Sequence, residues 1–266
     1  MAPTVQDAQR SVGTREYFDE VEQRKYFIEP HIPGFAQFER WRGKEVLEIG
    51  CGIGTDSCNF VRNGANLSVV ELSTESLSIT TKRLELYGLK ANLINGNAEK
   101  LDQLLPPEQK FDLIYSFGVI HHTPRPRMVI DAIAKRLKPQ GELRLMLYAR
   151  VSWKVLWIYL RYIWFEPWNW RRLPAKYSEA QIGSPVSYVY SFQEARELLQ
   201  SFTIVEMRKD HLFPYRIPDY VQYRYVKNWY FRWMPQAWFR WLEHKLGWHL
   251  LIVAELPEKG SPETGD

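Results

Sequence analysis

The segment Glu48-Ile49-Gly50-Cys51-Gly52-Ile53-Gly54 sets three glycines at alternate positions directly after an apolar run. Such spacing permits a tight turn, lets a ligand approach the backbone, and opens a helix whose first N–H groups lack partners. Glu71 ends a second apolar run, 17 residues after Gly54. A carboxylate there can accept hydrogen bonds from both hydroxyls of a ribose. Together they point to a nucleoside-bearing ligand. A dinucleotide would want G-x-G-x-x-G, but the sixth position is Thr55 and the pattern is G-x-G-x-G. Three imidazoles are candidate bases: His121, His122 and His211. A neutral imidazole accepts a proton near pH 7. Cys51 and Cys58 form no C-x-x-C pair and have no neighbouring histidine, so neither a disulfide framework nor a metal is expected.

These residues need elements to hold them. Val46–Ile49, Leu67–Leu72, Ala91–Ile94, Phe111–Ser116 and Glu142–Tyr148 read as strands, with helical periodicity or helix starts between them. Ser73 is an N-cap with an acidic first turn behind it, and Gly64 a helix stop. Helices alternating with strands imply a doubly wound, mostly parallel α/β sheet. Residues 14–40 read as helical until Pro30, Pro33 and Gly34 interrupt them. Ser191-Phe192-Gln193-Glu194 is a capping box before a helix over 192–200. Phe202–Met207 and His249–Ala254 complete a count of seven strands. The expected divisions are a helical cover over 1–43, a ligand-binding core over 44–150, inserts plus the last two strands over 151–256, and a frayed tail over 257–266. Pro167 and Pro174 mark a loop within the first insert. A charged fraction of 25% beside 45% hydrophobic residues excludes a disordered chain. The polar start MAPTVQDAQR is unlike a signal peptide, so an intracellular, cytoplasmic chain is expected.

E-x-G-x-G-x-G, the acid closing strand two, Asn97-Ala98-Glu99 after strand three, and FDLIYSFGVIHHT at strand four together resemble the class I S-adenosylmethionine-dependent methyltransferases. The likeness is to the bacterial small-molecule type with a GVIHHT-like strand four, and it covers about residues 14–150 plus the late strands. Leu137-Lys138-Pro139-Gln140-Gly141 matches an LKPGG turn apart from Gln140. The resemblance implies a Rossmann-like seven-stranded fold and S-adenosyl-L-methionine as cofactor, with S-adenosyl-L-homocysteine as product. It implies that Gly50, Gly52 and Gly54 line the methionine and ribose part, that Glu71 holds the ribose, that Leu72, Asn97 and Ala98 surround the adenine, and that Glu48 and Glu99 belong to the same cofactor site. Ser116, Phe117 and His121 would lie beside the sulfonium, and Tyr17 and Arg24 would cover the site near the methionine carboxylate. Within this family the histidine pair fits either a packing role or a base.

Ten of the eleven tryptophans follow residue 150, and residues 151–248 carry 14 basic against 8 acidic side chains. Trp153, Trp157, Leu160 and Trp164 share one helical face, but the segment is too short to span a membrane. The aromatic inserts fit a lid over the methyl-donor site, a membrane-interface surface, or a packed core or oligomer interface. As a lid they would hold an apolar or aromatic metabolite, with Trp153, Tyr215, Arg216 and Tyr220 lining its pocket. Nucleic acid is disfavoured: there is no Lys/Arg run, and Tyr115-Ser116-Phe117-Gly118 is unlike the D/N-P-P-Y of base-amino methylating enzymes. The expectation is in-line methyl transfer to a small molecule, O-methylation ahead of N or S. The rival is a catalytically silent module that binds a partner or membrane through its Trp/Arg region.

Overall fold

The computed structural model describes residues 11, 13–165, 167–168, 173 and 187–257. Helices α1 (Arg15–Ile28) and α2 (His31–Ala36) precede the sheet. Then follow β1 (Glu45–Ile49), α3 (Thr55–Arg62), β2 (Asn66–Glu71), α4 (Thr74–Leu86), β3 (Asn92–Asn95), α5 (Leu101–Leu104), β4 (Phe111–Phe117), α6 (Pro126–Arg136) and β5 (Leu137–Tyr148). The later part comprises α7 (Trp153–Tyr162), α8 (Phe192–Leu198), β6 (Thr203–Asp210), three helices α9 (Ile217–Tyr220), α10 (Trp229–Arg232) and α11 (Gln236–Leu246), and β7 (His249–Glu255). The loop at Pro174, Trp170, and the tail from residue 258 lie outside the described residues.

The seven strands form one sheet in the order β3-β2-β1-β4-β5-β7-β6. Only β7 runs against its neighbours. The sheet switches direction between β1 and β4, and in such sheets ligands bind beyond the carboxyl ends of the strands beside that switch. β1, β4 and β5 are covered on both faces, which is why they read as unbroken apolar runs. One face packs Leu47, Ile49, Ile114, Leu145 and Ile252 against α6 and α8. The other packs Val46, Leu113, Tyr115 and Phe60 against α2 and the following turn. There Phe60 meets Phe38 and Tyr115 edge-on at 4.8 and 5.2 Å, each such pair contributing about 1 kcal/mol beyond its burial.

The first helix ends at Ile28, where Glu29 leaves helical geometry ahead of Pro30, and the chain restarts as α2, so the expected interruption at Pro30 is present while Pro33 and Gly34 lie within α2. One expectation is corrected. Residues 139–141 are not a free turn before β5. Leu137 already pairs with Phe111, and the ladder resumes at Glu142 with Leu113, so residues 138–141 bulge within the strand. The capping box on α8 is present in full.

A buried guanidinium ties the N-terminal cover to the sheet. Arg83, fully buried on α4, donates to Thr55 Oγ1 at 2.7 Å, to Glu22 Oε2 at 2.8 Å and to the Phe18 carbonyl at 3.3 Å. One side chain thereby joins α1, α3 and α4.

Candidate functional site

The glycine turn follows β1 directly. Gly50, Gly52 and Gly54 all have positive φ, at 79°, 54° and 73°. Their surroundings differ. A Cβ on Gly50 would lie 2.2 Å from Val119 Cγ2, so that glycine is demanded by packing against the loop after β4. A Cβ on Gly52 would meet nothing within 4 Å. Gly52 therefore faces open space, as a backbone approached by a ligand must.

Glu71 stands across from that turn. Its Oε2 accepts the Gly52 N–H at 3.3 Å and its Oε1 the Ser73 N–H at 2.9 Å. Leu72 beside it is 69% exposed, an apolar face ready for a planar ring. Asn97 caps the turn after β3, its Oδ1 accepting the Glu99 N–H at 2.9 Å, and Ala98 is buried beneath it. Ser116 donates to the Ile49 carbonyl at 3.2 Å, which joins the ends of β4 and β1. Glu48 is buried and receives the Ser57 hydroxyl. Burial, with Asp56 adding to it, pushes its carboxyl up to about 8. Gly50, Gly52, Gly54, Glu71, Leu72, Asn97, Ala98, Ser116 and Phe117 all lie at the carboxyl ends of β1 to β4. An open glycine backbone, a carboxylate and an exposed leucine in sequence suit the methionine, ribose and adenine of S-adenosylmethionine.

Several expected residues stand differently. The Glu99 carboxylate takes the Arg125 backbone N–H at 2.8 Å and the guanidinium through Nε at 3.0 Å and Nη2 at 2.8 Å. Arg24 is buried, donates to the Tyr220 carbonyl at 3.1 Å, and lies over the rings of Tyr220 and Tyr223 at 4.4 and 4.1 Å. It anchors the late insert to α1. Tyr17 is fully buried with Phe18, Val21 and Ile53, under the glycine turn. Arg216 projects outward, paired with Asp219 at 3.2 Å and more than half exposed, so it lines no pocket. Tyr215 stacks on Phe27 of α1 at 6.3 Å, and Trp153 meets Tyr230 and Phe231 at 5.9 Å. Both bind insert elements to each other or to α1.

The histidines separate. His121 is fully buried with its ring 3.8 Å from that of Tyr148. His122 shares a hydrogen bond of 2.9 Å with Ser187 Oγ. His211 lies elsewhere on the same edge, with its ring 4.5 Å from His249 and 5.5 Å from His31. Burial pushes His31 down to about 4, with Asp210 opposing, and holds His211 and His249 well below the ordinary histidine value. No spacing pattern linked His31 and His249 to His211. Lys25 and Asp56 also went unforeseen: Asp56 accepts from Lys25 at 2.7 Å and from the hydroxyls of Tyr26 and Tyr115 at 3.0 Å each. An aspartate in the first turn after the glycines was the available signal.

The aromatic inserts bury Tyr220 and Phe231 but leave most of their indoles outside. Trp157, Trp164, Trp168, Trp229, Trp233, Trp238 and Trp241 are between 47% and 83% exposed. Among the described residues no helix is long and apolar enough to cross a membrane.

The sequence matches the methyltransferase domain model over residues 21–202. It is 34% identical over 100 residues to a ubiquinone biosynthesis O-methyltransferase of Dechloromonas aromatica, covering 38% of this chain and 42% of that protein. It is 33% identical over 103 residues to the same-named protein of Actinobacillus pleuropneumoniae serotype 7, covering 38% and 44%. The matches thus span less than half the length of these curated relatives. Among solved structures, the magnesium protoporphyrin IX methyltransferase of Synechocystis with bound S-adenosylhomocysteine superposes at a TM-score of 0.55 with 14% identity, covering 95% of this chain and 91% of that one. An S-adenosylmethionine-dependent methyltransferase of Clostridium acetobutylicum superposes at 0.51 with 13% identity, covering 88% and 91%. With the glycine turn, Glu71 and the sheet order already in agreement, the chain belongs to the methyltransferase domain family, in the fold of the class I S-adenosylmethionine-dependent methyltransferases.

Proposed function

We propose that this chain methylates a hydroxyl oxygen of a small apolar or aromatic acceptor. The observation that carries the reading is the character of the edge beyond β4. Beside the glycine turn stand Phe117, Tyr148 and a set of buried, uncharged imidazoles, with aromatic rings packed among them. Such a wall excludes water and accepts a flat apolar molecule, while neutral imidazoles offer polar contact to a hydroxyl. The names of the curated relatives agree with an oxygen acceptor.

The cofactor supplies a methyl group on a positively charged sulfur. The protein's work is alignment and dehydration. Glu71 and the Gly52 backbone fix the nucleoside. Phe117 and Tyr148 hold the acceptor against the end of β4. His121 and His122 are the candidates to take the acceptor proton, and His122 is hydrogen-bonded to the Ser187 hydroxyl.

The test is incubation of the full chain with S-adenosylmethionine and a set of phenols, catechols, amines and thiols, read by mass spectrometry of both products. A phenolic methyl ether appearing one-for-one with S-adenosylhomocysteine is expected. Methylation of amines or thiols alone would overturn the oxygen reading.

The exposed tryptophans favour a second, compatible role. Seven large indoles on the surface, with Arg161, Arg232 and Arg240 among them, suit a lipid headgroup interface. An apolar acceptor would then be collected from the membrane surface. Sedimentation with anionic vesicles at low salt tests this; protein remaining in the supernatant would remove it.

A further inference from the structure

Three histidines from distant parts of the chain meet at the carboxyl edge of the sheet. His31 opens α2, His211 follows β6, and His249 opens β7. One ring nitrogen of each lies within 4.8 Å of those of the other two. The inner pair is closest, with His31 Nε2 3.0 Å from His249 Nδ1. The outer nitrogens of the same two rings face carboxylates. His249 Nε2 is 3.5 Å from Glu29 Oε1, and His31 Nδ1 is 4.0 Å from Asp210 Oδ1. All five side chains are buried.

The backbone is shaped to bring them together. His211 holds a φ of 65°, a left-handed conformation that few non-glycine residues adopt. Gly247 lets the end of β6 and the start of β7 close up. A Cβ there would lie 2.3 Å from the Asp210 carbonyl oxygen and 2.4 Å from that of Glu243. Across the strands, Tyr148, His249 and Asp210 form one register row.

We infer that His31, His211 and His249 bind one divalent transition-metal ion of the zinc class, with Glu29 and Asp210 orienting His249 and His31 from behind. Imidazole nitrogens sit about 2.0–2.1 Å from zinc, which places tetrahedral neighbours about 3.3 Å apart. The inner pair is already within a few tenths of an ångström of that, and a turn of the His211 ring brings in the third. A carboxylate behind a ligating imidazole is the recurrent supporting arrangement of such sites; here Glu29 stands 3.5 Å behind His249, and Asp210, which also accepts the His211 backbone N–H at 2.8 Å, lies 4.0 Å from His31. A plain hydrogen bond between His31 and His249 would account for one contact. It would give no role to the His211 ring, which the left-handed backbone at that residue carries to the same point. Three neutral nitrogen donors favour zinc, cobalt, nickel or copper over magnesium or calcium. They also leave a coordination position open, as catalytic sites do.

That position lies near the acceptor wall. The Phe117 ring, at the end of β4, is 6.0 Å from His31 and 5.4 Å from His249. An ion there would hold a hydroxyl oxygen as its anion. The acceptor O–H breaks and its proton passes to solvent. The O–CH3 bond then forms as the S–CH3 bond breaks, leaving a neutral thioether. This role rests on the oxygen-acceptor reading above; the ion site itself does not.

The full chain, stripped with a chelator, is titrated with zinc(II) alone and with cobalt(II) alone. One zinc per chain is expected, and cobalt should give the visible d–d bands of a low-coordinate nitrogen site. His31→Gln and His249→Gln should each weaken zinc at least tenfold while keeping the wild-type circular dichroism. Folded wild type that takes up no stoichiometric ion would overturn the site, as would folded variants that bind zinc as tightly as wild type. Stoichiometric zinc with no methylated phenol would sink the acceptor reading and leave the site standing.

Discussion

Gly50→Ala and Gly52→Ala make the same chemical change at two positions with positive φ, yet the structure assigns them opposite consequences. Both pay for a left-handed alanine, roughly 1–2 kcal/mol, partly offset by about 0.4–1 kcal/mol from a less flexible unfolded chain. Gly52 has no further cost, because its added methyl enters open space. Its stability loss should be about 1 kcal/mol. Gly50 must also resolve a 2.2 Å approach to Val119 Cγ2, and overpacking of that kind costs typically about 1–3 kcal/mol. Its loss should be about 2–4 kcal/mol. At about 2–4 °C per kcal/mol for a chain of this size, thermal melting should separate the two by at least several degrees, with Gly50→Ala lower. Binding should run the other way. The Gly52 methyl occupies the approach to the backbone, so calorimetric titration of the folded variant with S-adenosylhomocysteine should show at least tenfold weaker affinity, about 1.4 kcal/mol. Wild-type affinity in Gly52→Ala would refute the assignment of that open space to the cofactor. Equal melting temperatures would refute the packing argument at Gly50.

Glu71→Ala removes two charge-assisted acceptors worth about 1.5 kcal/mol each, so affinity for S-adenosylhomocysteine should fall about 100-fold in the same titration. A loss under threefold would show that Glu71 serves only to order Gly52 and Ser73. Arg83→Met leaves the Phe18 carbonyl and Thr55 without their donor while Glu22 keeps Arg62 at 2.7 Å, at a cost of about 2 kcal/mol; thermal melting unchanged within 2 °C, on a scale of about 2–4 °C per kcal/mol, would contradict the clamp. Glu48, raised to about 8 by burial and by Asp56, folds best as the neutral acid. Its stabilisation is whole below its unfolded value of 4.5 and is lost as pH rises through 8. Ser57, Asp56, Lys25 and Glu71 face it. Glu48→Gln should therefore gain on wild type by at least about 1 kcal/mol between pH 5 and pH 8.5, measured as the difference in melting temperature. A difference independent of pH would refute it.

Local chemistry was enough to set the glycine turn, Glu71 and Leu72 at the carboxyl ends of β1 and β2. The glycines, Glu71, Leu72 and the helix caps sit within short stretches, where backbone conformation and strand alternation depend on neighbouring residues, so their pattern could be read directly. The strands β1, β2, β4 and β5 were equally plain, because burial on both faces demands continuous apolar runs. What the tertiary structure alone decided were pairings between distant segments. Glu99 and Arg125 are 26 residues apart, Arg24 and Tyr220 196, and His31 and His249 218. No periodicity connects such positions; the sheet order and the antiparallel β7 bring them together. The exposure of the tryptophans belongs to the same class. A helical aromatic stripe looks alike whether it packs on a core or faces out, and only the way α7, α10 and α11 seat Val155, Phe231 and Glu243 inward and turn most of their indoles outward settles which, because burial is a property of the whole fold and not of the stripe.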